Sequence, residues 1–416
     1  MDNSNIWLGV NILFWLITFI WYRVKYEYIG AAGLLLGMFL SFSILSTLLY
    51  NDPFWGTKYR DLSLFPFMYL YIMIMISIFP VLKWDRLDVQ SIGPDKSKIL
   101  IIISWFFIIS TLARVSSFSN LGQGLLIMVI DSSAGQDVYI ENMQESQDSL
   151  GDGLISNIFA IFSNMLFDFC VLFLFYFLSK KRKNWLTIVG LTLSCFICTI
   201  LPIANSQRGP VLERILVITI TYMAFGKTLS EKIKRGVNKV FVAIIVLMSV
   251  PLVYITVSRF DNRGVLGSLY SYFGQQNLFF NMYAFDNNGI RYGDRIFPVF
   301  KKILFFDNVP SNFWERRLKY SKLHINDEVF VGYVGDFLLD FGPIIPILIF
   351  IAYSSFTLRK LRVKNGHIYL YQMLPLMMLM HICVYGSLFL FPLADDGNYV
   401  IIVYMLMYFL LKKNKI

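Results

Sequence analysis

The fold class this sequence predicts is an all-α, polytopic transmembrane bundle of about eleven spans, with one large, partly helical external loop. The first observation behind it is composition: 56% of the 416 residues are hydrophobic, 17% are aromatic and only 15% are charged, against about 25% charged in soluble domains. The second is that apolar stretches long enough to approach a bilayer's thickness recur from one end of the chain to the other. The third is the alternation of charge between them. Segments 22–28, 83–98, 180–184, 227–239, 359–367 and the C-terminal tail together hold 22 lysines and arginines, whereas the intervening short segments hold only Lys58, Arg60 and Arg208. Segment 118–153 has no Lys or Arg and carries six acidic residues. By the positive-inside rule the N-terminus lies outside, the C-terminus lies in the cytoplasm, and the number of spans is odd.

The spans expected in order are 6–21, 29–50, 64–82, 99–117, 154–179, 185–204, 211–226, 240–257, 335–357, 368–391 and 399–411. The first runs into Tyr22 and Arg23 with no small-residue cleavage site, so it reads as a span and not as a cleavable signal. Spans four and five flank the acidic segment. Six and seven are separated by "NSQRGP", residues 205–210, where Pro210 suits the first turn of a new helix. Between spans eight and nine lies the external loop 258–334, which holds ten Lys or Arg; long loops are exempt from the charge rule. Within it, "LYSYFGQQNLFFNMYAF" (269–285) reads as an amphipathic helix lying in the outer interface. The whole chain, 1–416, is expected to form one integral membrane domain, with 258–334 as a loop within it.

The +10 net charge sits in short clusters between spans, which is a topology signal and not a nucleic-acid one. All four cysteines fall inside apolar segments, and Cys195/Cys198 read mainly as packing, with redox or metal work as the lesser reading. P-loop, dinucleotide, zinc-helix, Asp-x-Asp and G-x-S-x-G motifs do not occur, and there are only three histidines. No metal site and no cofactor are expected, nor a nucleotide-activated substrate from the cytoplasm.

The polar residues that remain concentrate on the outer side. Arg208, Glu213 and Arg214 surround a helix start whose free N–H groups attract anions. "SRFDNRG" supplies Arg259, Asp261 and Arg263, and "RYGDRIFP" supplies Arg291, Asp294 and Arg295. Guanidinium groups fork onto phosphate oxygens and keep their charge, so these arginines are candidate diphosphate ligands. Glu213, Asp261 and Asp294 are candidate bases. The plain alternative is that each aspartate pairs with its neighbouring arginines and orders the loop. Arg316, Arg317, Lys319 and Lys322 read as a solvated or headgroup-facing surface. Arg114 lies near the outer end of span four. Asp168 and His381 lie at mid-depth, with a polar pair, a proton relay or no contact all open.

With its serine/arginine/glycine hinge "NSQRGP", its "SRF…N" loop start and its Arg263–Gly274 spacing, this architecture resembles the polysaccharide repeat-unit polymerases, the Wzy-type O-antigen polymerases of bacteria. The resemblance implies a fold of the GT-C glycosyltransferase type in the bacterial inner membrane. It also implies an enzyme that polymerises undecaprenyl-diphosphate-linked oligosaccharides at the outer face, in lipopolysaccharide or capsule biosynthesis. Membrane lipids, a chain-length regulator and a flippase would be its partners, and nucleic acid would not. Trp314 and the loop's Tyr and Phe side chains would stack on sugar rings. An O-antigen ligase-like transferase shares donor and architecture. A lipid-linked oligosaccharide flippase would need charges along a central pathway and two similar halves, which the sequence does not show.

Overall fold

A computed structural model describes residues 3–26, 28–59, 61–94, 97–113, 162–202, 208–240, 242–243, 246, 265–388 and 393–416. Among the described residues the structure is mainly helical, with two two-residue strands, and the chain divides into two compact units, Met1–Asp88 with Leu269–Lys415 and Val89–Ser268 with Ile416. Among the described residues, four helices are long and apolar enough to cross a membrane: Ser4–Lys25, Ala31–Tyr50, Leu64–Arg86 and Leu370–Ser387. Three shorter apolar helices, Lys98–Leu112, Phe167–Ser179 and Trp185–Ile200, accompany them. These helices mark the chain as a membrane protein. Span 240–257 and segment 118–153 lie almost entirely outside the described residues.

The first unit is built on α1 (Ser4–Lys25), α2 (Ala31–Tyr50) and α3 (Leu64–Arg86), packed against one another. Asp85 ties them together: its Oδ2 accepts from Tyr22 Oη and Ala32 N, both at 2.9 Å. A carboxylate at the start of α2 also suits the positive end of that helix dipole. Pro80 lies inside α3 and cannot donate to the carbonyl four residues earlier, that of Ile76. Ser354 Oγ donates to that carbonyl at 2.8 Å, so the proline's missing bond becomes an interhelix bond.

In the second unit, α4 (Lys98–Leu112), α5 (Phe167–Ser179), α6 (Trp185–Ile200) and α7 (Arg208–Phe225) pack together. Every residue of α5 from Phe167 to Leu178 is buried, so it is the central helix of this unit. The cysteines are free and buried; Cys170 and Cys195 sulfurs approach to 3.4 Å, and Cys198 lies 4.0 Å from Thr111 Oγ1. Helix α7 begins at Arg208, one turn earlier than expected, with Gly209 and Pro210 in its first turn.

Two expectations are corrected. The stretch 269–285 is not a peripheral helix: residues 269–283 belong to α8 (Val265–Tyr283), whose side chains from Gln276 onward are largely buried against the helices of the first unit. Gly274 permits this, because a Cβ there would meet Leu45 O at 2.7 Å, and Ser46 Oγ donates to Gly274 O at 2.8 Å. The amides expected at headgroup level make interhelix bonds instead: Asn277 to Ser46 Oγ at 3.0 Å, Gln276 to Ser387 O at 2.9 Å and Asn281 to Ser63 O at 2.7 Å. The span expected at 335–357 is two helices. They are separated by Gly342, whose φ of 73° is left-handed, and by Pro343.

The rest of the first unit comprises α9 (Pro298–Ile303), α10 (Phe313–Lys319), α11 (Gly332–Phe341), α12 (Ile345–Lys360), α13 (Leu370–Leu388) and α14 (Asn398–Lys413). Replacing Gly274 by valine forces α8 off α2. A loss of about 1–3 kcal/mol, as for overpacking in a close-packed interior, is expected. A lowered thermal midpoint of the purified protein in detergent is the check; an unchanged midpoint contradicts the close approach.

Candidate functional site

The chemistry-bearing side chains fall into two clusters, one in each unit. The first is organised around Arg291, which is fully buried. The turn that carries it is pinned where Arg291 N donates to Leu339 O at 2.9 Å, beside the C-terminal end of α11. Its Nε donates to Asp340 Oδ1 at 2.6 Å, its Nη1 to Asn326 O at 2.5 Å, and its Nη2 to Asp336 O at 3.2 Å. Asp340 Oδ2 in turn accepts from Ile296 N at 2.7 Å. Arg295 pairs with Asp336 at 3.1 Å and Asp327 at 3.4 Å. Arg316, only 2% exposed, donates to Asp327 at 2.7 Å and grips Asp395 through both terminal nitrogens. Three buried guanidinium groups are thus matched by three buried carboxylates, with Asp395 at the solvent edge.

Asp294 has its own partners. Lys301 Nζ reaches one of its oxygens, while Lys319 Nζ and the Tyr320 hydroxyl each lie 2.7 Å from the other. Burial pushes this carboxyl upward, but the hydrogen bonds from Lys301, Lys319 and Tyr320 outweigh it and hold the group below its usual value. Burial, with the Asp294 charge, raises the Tyr320 phenol.

The second cluster joins α5 and α7. Asp168 sits in the first turn of α5 and is 5% exposed. Glu213 and Arg214 lie in the second turn of α7, and Glu213 is close enough to Asp168 and Arg214 to feel both charges. Arg214 Nη2 donates to Asn164 Oδ1 at 3.0 Å, and its guanidinium carbon stands 5.4 Å from the Phe167 ring centroid. Among the described residues its Nη1 is buried and has no hydrogen-bond partner. A cation, two carboxylates and an amide therefore lie near one another among the apolar helices α5, α6 and α7, where ionisable groups are costly unless used or paired.

The sequence-derived candidates now have places. Glu213 and Arg214 are brought together, and Asp168 and Asn164 join them. His381, at a similar expected depth to Asp168, has its Nδ1 engaged by Tyr404 Oη at 2.8 Å. Arg208 begins α7. Arg291 and Arg295, expected at a diphosphate, face Asp327, Asp336 and Asp340. Asp294, expected as a base, is bonded by two lysines and a tyrosine. Of the four residues expected as a solvated surface, Arg316 is buried. Arg114, Arg259, Asp261 and Arg263 lie outside the described residues. The chain matches no protein-family model, no curated protein and no solved structure.

Two outcomes follow from the buried network. Asp340→Asn leaves Arg291 short of a counter-charge in the interior, with an expected loss of about 3–5 kcal/mol. Asp395→Asn, at a partly exposed pair, costs less than about 1 kcal/mol. Thermal melts of the two variants check the contrast, and equal effects contradict it.

Asp294, with a depressed folded pKa, contributes stability that is complete above its unfolded value of about 4 and is lost as pH falls through the folded one. Asp294→Asn is expected to lower the melting temperature at neutral pH and to flatten its decline in acid. A variant curve parallel to wild type through acid pH contradicts this.

Proposed function

We propose that this protein is a membrane glycosyltransferase that polymerises undecaprenyl-diphosphate-linked oligosaccharide units at the outer face of the bacterial plasma membrane, with its N-terminus outside and its C-terminus in the cytoplasm. One observation supports the reading above others. Arg214 holds a guanidinium among apolar helices, close to Glu213, with Nη1 left without a partner among the described residues. Such a group is suited to an incoming phosphate oxygen, which it would meet with a charge-assisted hydrogen bond. In the orientation read from the charge pattern, the start of α7 opens outward, and Arg208 stands at that start.

The reaction asks for two things. The leaving group is a lipid diphosphate, and Arg214 with Arg208, Arg259 and Arg263 would stabilise the charge that develops on it. The attacking sugar hydroxyl must lose its proton, and a carboxylate in the same place serves as base. Glu213 fits that role better than Asp294, because a carboxylate with three strong donors on it and a depressed pKa is a weak proton acceptor. Asp261 remains the second candidate. Arg291, Arg295 and Asp294 act here by fixing the shape of their own loop in the first unit.

The test is chain extension of purified lipid-linked repeat units in detergent, read as product length. Arg214→Gln is expected to reduce extension at least about 100-fold, the scale for losing one charge-stabilising donor, and Glu213→Gln by a similar factor. Arg214→Lys, which keeps the charge but not the fork, is expected to fall between. Full extension by Arg214→Gln contradicts the reading. Transfer of one finished glycan to another acceptor, with no extension, points instead to the ligase reaction.

A further inference from the structure

Between α9 and α10 the first unit carries an apolar run that its own described residues do not cover. Ile303, Leu304, Phe305 and Phe306 are 57%, 66%, 91% and 54% exposed. Phe305 also has a φ of 65°, a left-handed conformation that bulky side chains rarely adopt. That conformation caps α9, with Phe305 N donating to Lys302 O at 3.1 Å and Phe306 N to Lys301 O at 3.2 Å, and the cap holds an exposed ring in water, where a run of this size marks a contact surface.

The run stands on a rigid base. Lys301 Nζ donates to Tyr292 O at 3.0 Å, pairs with Asp294, and lies 5.8 Å from the Phe306 ring centroid. Tyr292 is itself left-handed, with a φ of 56°, and 67% exposed. The start of α9 is fixed to the start of α14, which the sequence predicts to be the last span. Val299 N donates to Asn398 Oδ1 at 3.2 Å, and Asn398 Nδ2 donates to Ile296 O at 2.7 Å. Asn398 is the first residue of α14, the apolar 16-residue helix NYVIIVYMLMYFLLKK. Six helical residues span only about 9 Å. The run therefore leaves the fold close to the level where α14 would meet the headgroups, the level at which the exposed Tyr399 also stands.

We propose that residues 303–306 form an interfacial wedge that enters the lipid leaflet on this side of the bundle, with Phe305 among the acyl chains. Lys302, exposed beside the run, meets anionic headgroups. A glycan is the poorer occupant. Sugar platforms set hydrogen-bonding groups beside the ring, and these four side chains offer none. The inference is independent of the proposed reaction.

The full-length protein carrying Phe305→Cys is labelled with the environment-sensitive fluorophore NBD; the native cysteines are all buried. It is reconstituted into vesicles of phosphatidylethanolamine and phosphatidylglycerol. The expected result is blue-shifted emission that doxyl groups on lipid acyl chains quench and aqueous iodide does not, with the opposite pattern for a label at Asp307→Cys. Leu304→Cys repeats the measurement where the first variant does not fold. Emission open to iodide and indifferent to doxyl lipids overturns the proposal. So does protection of the label by soluble repeat-unit glycan in place of lipid.

Discussion

The ion pair between Arg291 and Asp340, closed by Asp336, is the constraint on which the first unit's loop depends. It joins the turn at 291–296 to the end of α11, and through Arg295, Asp327 and Arg316 it continues to Asp395. A buried charge without its counter-charge is expensive, so the members of the network stand or fall together. The same neutrality bears on chemistry. A guanidinium already facing two carboxylates presents little field to a diphosphate, and this loop is better fitted to give shape than to bind an anion.

The second cluster is built differently. Glu213 feels the charges of both Arg214 and Asp168, and Arg214 keeps a nitrogen without a partner among the described residues. In the proposed reaction an arriving diphosphate would meet the Arg214 nitrogen that has no partner among the described residues, with Glu213 close by to accept the sugar's proton. That proximity of a guanidinium and a carboxylate is the physical reason for placing the proposed reaction here.

How much was legible varied with the kind of signal. Most helices were readable because apolar runs and the basic residues that end them are local features; α1, α2, α3 and α14 fall within a few residues of the expected spans. The break between α11 and α12 was missed, although Gly342-Pro343 marked it, because hydropathy does not change across it. The placement of α8 was misread for a related reason: Gln276, Asn277 and Asn281 look alike whether they face headgroups or neighbouring helices. Gly274, in the middle of that run, was the clue that a backbone comes close. At the sites, Glu213 and Arg214 were found by proximity in sequence, whereas Asp168 and Asn164 reach them only through folding. The partners of Arg291 lie 45 and 49 positions away, a pairing that no local motif encodes.

The account rests most directly on where a lipid diphosphate binds. An electron cryo-microscopy map of the protein with undecaprenyl diphosphate is the decisive measurement. Phosphate density within hydrogen-bonding distance of Arg214, with the polyprenyl chain leaving between α5 and α7, is the predicted result. Density for the diphosphate elsewhere, with Arg214 still bonded only to Asn164, would contradict it.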